Sequence, residues 1–177
     1  MIGATRVVVG VDGSLSSLAA VRRAAAEARR RDAPLVPVAA WTACDGDSLR
    51  PLSELEYAAR VRLDSVIELA LDGLPLGVRI HPQVVRSEAG RALVATADGP
   101  QDLLVLGSGR HTGHRRPLHG SVARYCLARA ACEVLIVPPT AMLEPAPGED
   151  TPSWPGTEDD CRDAAGPHCH AGVGYLN

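Results

Sequence analysis

The stretch LVLGSGRHTGHRRPLHGSVARYCL, residues 104–127, decides how this chain folds. It opens on apolar residues that read as a buried strand, crosses a loop with four glycines and three histidines, and takes up helical spacing at Gly120-Ser121. An almost wholly apolar strand feeding a helix is the repeating piece of a parallel sheet covered on both faces. The loop between them leaves three readings open: a phosphate cradle, a metal site, or a long exposed turn.

The same strand–helix unit recurs on either side of it. Arg6–Val11 (RVVVGV) is a β-branched run stopped by Asp12-Gly13-Ser14. A helix follows, with Leu18, Val21, Ala25 and Ala28 on one face, Arg22, Arg23, Arg29 and Arg30 mostly off it, and Ser14, Ser16 and Ser17 as candidate N-caps. Leu35–Ala40 reads as the second strand, with an internal Pro37. Pro51 suits the first turn of a second helix, whose apolar face is Leu55, Ala59, Leu63, Val66 and Ala70. Val78–Val85, also interrupted by a proline, is a third strand expected near a sheet edge, and Glu88–Ala97 a short helix. Asp102–Leu106 is the fourth strand, Gly120–Ala130 the fourth helix, and Glu133–Val137 the fifth strand, ended by Pro138-Pro139.

The expected fold is therefore α/β, a three-layer sandwich around a five-stranded parallel sheet of Rossmann-like type, with right-handed crossovers. Ligands in such sheets bind beyond the carboxyl ends of the strands, where the strand order reverses. If strands one and four are neighbours, the loops after Asp12 and Gly107 line one crevice.

Length and composition set the limits. The chain has 177 residues and 46% hydrophobic residues, enough for one sizeable core, and without Phe that core must be built from Ala, Val, Leu and Ile. Residues 1–139 are expected to form the single domain, and 140–177 an irregular, Pro/Gly-rich and disordered tail. The tail holds seven acids and one arginine, a net of −6, which leaves +3 for the body of a chain whose total is −3. A body so weakly basic does not read as a nucleic-acid binder. No apolar run approaches the ~20 residues that span a bilayer, and the N-terminus lacks the pattern of a secretory signal. The five cysteines, Cys44, Cys126, Cys132, Cys161 and Cys169, are odd in number and scattered, which fits a reducing compartment. A soluble, cytoplasmic protein is expected.

Two regions resemble the universal stress protein family, over roughly residues 4–139. One is VVVGVDGS (7–14) with the Ala-rich helix and DAPLVPVAAW (32–41). The other is DLLVLGSG (102–109) followed by GSVARYCLARAACEVLIVPP (120–139). The family's nucleotide signature is Gly, two residues, Gly, nine residues, Gly, then Ser or Thr. Gly107 and Gly120-Ser121 match its ends, while Arg110 stands at the middle glycine, with Gly109 and Gly113 nearby. The resemblance implies an adenine nucleotide, ATP with Mg²⁺. Asp12 would contact its adenosine part, Ala40 would flank the adenine, Gly107 the ribose, and Arg110, Gly120, Ser121 and Val122 the phosphates. It also implies a homodimer through Glu133–Val137. The residues themselves agree with a cradle. A glycine ending a buried strand lets a ligand approach the backbone, and Gly120-Ser121 opens a helix whose N–H groups favour an anion, with the Ser121 hydroxyl as a cap or a phosphate donor.

Other chemistries are less well supported. GVDGSLSS lacks the dinucleotide fingerprint, and a chain without lysine has no P-loop. His111, His114 and His119 read as solvated or phosphate-adjacent, and Cys161, His168, Cys169 and His170 do not have zinc-finger spacing, so no metal site is assigned. Cys126 and Cys132 read as small packing residues. Ser121 has no G-x-S-x-G context, and no catalytic set emerges. The expectation is a non-enzymatic, ATP-binding module of stress-response signalling, with slow hydrolysis as a side activity. Beside it stand a family member that has lost ATP and acts as a dimeric interaction protein, motivated by Arg110, and a small hydrolase or phosphotransferase using the same crevice.

Overall fold

A computed structural model describes residues 5–43, 50–72, 77–109 and 120–142. Strands β1 (Val7–Gly10), β2 (Leu35–Trp41), β3 (Gln83–Arg86), β4 (Leu103–Gly107) and β5 (Glu133–Val137) alternate with helices α1 (Leu15–Arg30), α2 (Leu52–Leu71), α3 (Ala89–Thr96) and α4 (Ser121–Arg129). A short 3₁₀ turn at Pro139–Met142 packs on α1. The strands form one parallel sheet in the order β3-β2-β1-β4-β5. The fold is the expected α/β sandwich, and the order reverses between β1 and β4.

Two aliphatic clusters, one on each face of the sheet, make the core. Successive strand residues point to opposite faces. Val7, Val9, Leu103 and Val105 therefore join α1 and α2 in one cluster, while Val8, Leu104 and Leu106 join α3 and α4 in the other. α1 is buried on more than the single stripe its periodicity suggests: Ala19, Ala20, Val21, Ala24, Ala25, Ala26 and Ala28 are all covered. It lies between the sheet, α2 and the 3₁₀ turn, and only small side chains allow so many close neighbours. Glu27 is buried there too, bonded by Arg23 and Arg30 at 2.9 Å each. Asp102 closes the other end of the sheet, accepting from the backbone N–H groups of Arg6 (3.0 Å) and Gly99 (3.1 Å) and from the Arg6 side chain.

The third strand is shorter than expected. Of Val78–Val85, only residues from Gln83 on enter β3, and Ile80 makes a lone bridge to Leu35. The register explains the gap. Leu35 N–H donates to Arg79 O and His81 N–H donates to Leu35 O, so odd-numbered residues of β2 turn their polar groups toward β3. Pro37 lies two residues on, on that same side, and has no N–H for the next rung. Pro82 turns its nitrogen to the outer edge, where no partner is lost, and blunts that edge. β3 and β5 are the edge strands.

Candidate functional site

Because β1 and β4 pair in parallel, their carboxyl ends stand side by side at the point of reversal. A cavity of about 290 Å³ opens there, at the lower end of the size range of small-ligand sites. Its floor is apolar: Val38 from β2, Leu93 from α3 and Leu106 from β4 surround Gly10. A Cβ at Gly10 would come within 3.1 Å of Leu106 and 3.2 Å of Leu93, so the missing side chain helps keep the floor open.

The rim is polar. Asp12 is exposed, and its Oδ1 accepts from Ser14 N–H at 2.9 Å across a turn that needs Gly13 at φ +82°. Ser14, not Asp12, caps α1: its side chain accepts from Ser17 N–H at 3.2 Å. The carboxylate is thus aimed at the cavity mouth by the turn while a serine does the capping.

The glycines of the loop do different work. A Cβ at Gly107 would lie 2.7 Å from both C and O of Ser16, in the first turn of α1. The glycine ending β4 is required first by strand–helix packing, beyond the ligand approach expected from sequence. Gly109 has φ +85°, and a Cβ there would lie 3.5 Å from Gly120 Cα, so the two ends of the long loop meet. Gly120 is the N-cap of α4, at φ −54° and ψ 162°, with no side-chain cap. The cap position therefore falls one residue before Ser121, which is exposed in the first turn and does not cap. The N–H groups of Ser121, Val122 and Ala123 open the helix at the cavity wall, where the positive end of its dipole favours an anion.

Six of the seven residues assigned from sequence, Asp12, Ala40, Gly107, Gly120, Ser121 and Val122, line this one cavity. Arg110 lies outside the described residues, as do Arg115, Arg116, His111, His114, His119 and the tail cluster Cys161, His168, Cys169 and His170. Sequence reasoning missed Leu93 and Ala89 of α3, Ser16 and Ser17 of α1, and Arg62 of α2, all part of the lining. Only Ser16 and Ser17 had a local signal, as candidate caps.

The two cysteines among the described residues, Cys126 and Cys132, behave as packing residues. Cys126 is fully buried against α3, and burial, with Cys132 nearby, pushes its thiol up to about 11. Burial also raises the half-buried Cys132 thiol. A thiol so raised is protonated and unreactive near neutral pH. Among the described residues no helix is long and apolar enough to cross a membrane.

A parallel α/β sheet with an apolar cleft and an uncapped helix N-terminus at its switch point defines a class of small-ligand-binding folds. Comparison with known proteins makes the class specific. The model of the Universal stress protein family matches residues 3–138. A universal stress protein of Methanocaldococcus jannaschii is 31% identical over 140 residues, covering 75% of this chain and 81% of that protein. A universal stress protein solved in complex with cAMP is 29% identical, with a TM-score of 0.53, covering 76% of this chain and 97% of the other. A family protein from Burkholderia pseudomallei is 26% identical, with a TM-score of 0.54, covering 76% and 96%. The chain belongs to the universal stress protein family.

Proposed function

We propose that this universal stress protein binds an adenine nucleotide in the cavity between β1 and β4 and serves in stress-response signalling in the cytoplasm, as a binding module and not an enzyme. The observation that carries the reading is the start of α4. Gly120 leaves the helix N-terminus without a side-chain cap, and among the described residues a Cβ there would meet nothing nearer than Gly109 Cα at 3.9 Å, which supports room for a phosphate at the N–H groups. The apolar floor suits the flat face of a base, and Asp12 can accept from ribose hydroxyls. A relative of 29% identity was solved with cAMP, which supports the same ligand class here. ATP is the nucleotide we favour, its Mg²⁺ held mainly by phosphate oxygens and water. Titration of the purified chain with ATP, ADP, AMP and cAMP, with and without Mg²⁺, tests this. Saturable binding in the micromolar to millimolar range is expected (~4–8 kcal/mol of binding free energy). No binding of any of the four at millimolar concentration would overturn the reading. ATP turnover that survives Asp12→Ala and Ser121→Ala together would show that any hydrolysis belongs elsewhere.

The working unit in this proposal is residues 1–139, with 140–177 as an appendage, and it assembles as a homodimer. Among the described residues β5 pairs only with β4, which leaves its outer edge of backbone donors and acceptors for another strand. Val134, Leu135 and Ile136 on it are only partly buried, and pairing with a second β5 about a two-fold axis would cover them. The short turn Pro139–Met142 after β5 packs onto α1, on one face of the sheet, and does not itself add a strand at that edge. Sedimentation of the full chain and of one ending at Thr140 should both give a dimer. Monomers in both at tens of micromolar would refute it.

A further inference from the structure

Two charged side chains line the cavity among the described residues, Asp12 and Arg62. Arg62 comes from α2, a helix whose other interactions are with α1, β2 and β3. Its neighbour Leu63 and the adjacent Ala59 and Val66 are buried, so the core fixes where the Arg62 stem begins. The side chain then runs across the turn after β1: its Cγ and Cδ lie 3.4 and 3.2 Å from where a Cβ at Gly13 would stand. The stem is seated on a glycine, beside the residue that carries the only carboxylate of the described lining.

The head of this arginine is uncommitted. Arg6, Arg23, Arg30, Arg31, Arg50 and Arg91 all have carboxylate partners. Among the described residues no hydrogen bond or ion pair engages Arg62. A guanidinium held by packing of its stem, with its fork of donors unused, is suited to grip a phosphate or carboxylate through two parallel bonds. Its position also answers an electrostatic difficulty. Asp12 puts a negative charge on the rim, which repels a phosphate-bearing ligand, and the Arg62 cation, packed across that turn from α2, adds a positive charge to the same rim.

We propose that Arg62 contacts the phosphate of the bound nucleotide and thereby sets the preference of this cavity for nucleotides over nucleosides. The proposal rests on the nucleotide-binding reading above. Arg62 is exposed, so its replacement leaves the core intact. The test is calorimetric titration of the full chain, Arg62→Gln and Arg62→Lys with AMP, ATP and adenosine. Loss of a charged hydrogen-bond partner should weaken AMP and ATP binding roughly 10- to 100-fold in Arg62→Gln, with Arg62→Lys between it and the parent, and should leave adenosine within about twofold. The salt dependence of AMP binding should also become shallower in Arg62→Gln. Equal weakening of AMP and adenosine would overturn the phosphate contact, and so would unchanged AMP binding. If the parent binds nucleotides and Arg62→Gln binds AMP as tightly, only the Arg62 assignment falls. If the parent binds neither AMP nor ATP at millimolar concentration, both readings fall together.

Discussion

Replacing Gly107 by alanine adds one methyl group at the place where β4 passes α1. That methyl would stand 2.7 Å from the carbonyl carbon and oxygen of Ser16. Both atoms belong to the backbone of a helix whose first turn is fixed by the Ser14 cap, so neither can swing aside as a side-chain tip would. Gly107 has no left-handed φ, so the cost is steric and not conformational. Overpacking of this kind costs about 1–3 kcal/mol, and the rigid neighbour places Gly107→Ala at the upper end, near 3 kcal/mol. Alanine also restricts the unfolded chain and returns about 0.4–1 kcal/mol, for a net loss of about 2–3 kcal/mol. With about 2–4 °C lost per kcal/mol for a domain of this size, Tm should fall by roughly 5–10 °C. Urea unfolding followed by circular dichroism measures the first figure and a thermal scan the second. Gly120→Ala is the control. Among the described residues its methyl meets nothing closer than 3.9 Å and its φ is −54°, so it should lose only what alanine costs as a poorer N-cap than glycine, about 1 kcal/mol or less. A Gly107→Ala protein as stable as the parent would refute the packing account of this glycine.

Gly120→Val should remain folded yet weaken ATP binding by about tenfold or more, because its branches project over the N–H groups of α4; Arg110→Gly, which restores the family pattern, should weaken it less or tighten it, and calorimetry on both decides. Asp102→Ala removes the acceptor of two backbone N–H groups and the partner of Arg6, and should cost about 2–4 kcal/mol in urea unfolding. The Cys126 thiol holds its proton more tightly in the folded chain, at about 11 against an ordinary 9.0, so its contribution is complete below pH 9 and is lost as pH rises through 11. Stability should therefore fall between those values by on the order of 2 kcal/mol more in the parent than in Cys126→Ala, read from urea midpoints at each pH. Below pH 8 the same thiol should react with a disulfide reagent only as fast as the protein opens, and rapid labelling of Cys126 in the native state would contradict its burial.

Local chemistry made much of this protein legible. Runs such as Val7–Val9 and Leu103–Leu106 are apolar on both faces because both faces are covered, and that property is written in consecutive residues. The spacing from Gly107 to Gly120-Ser121 marked the ends of one loop, and Asp12-Gly13 marked a turn; both features need only a few neighbouring residues to be recognised. The contacts that complete the site depend on residues far apart in the chain. No local pattern shows that β1 lies beside β4, that α2 carries Arg62 across the Gly13 turn, or that Gly107 is excluded from having a side chain by Ser16 of α1. Nor does Pro37 alone predict where β3 begins, since its missing N–H matters only once the register turns it toward β3. Periodicity fixes which face of an element is apolar, but which partner meets that face, and at what distance, is settled only when the sheet assembles and the helices pack on it.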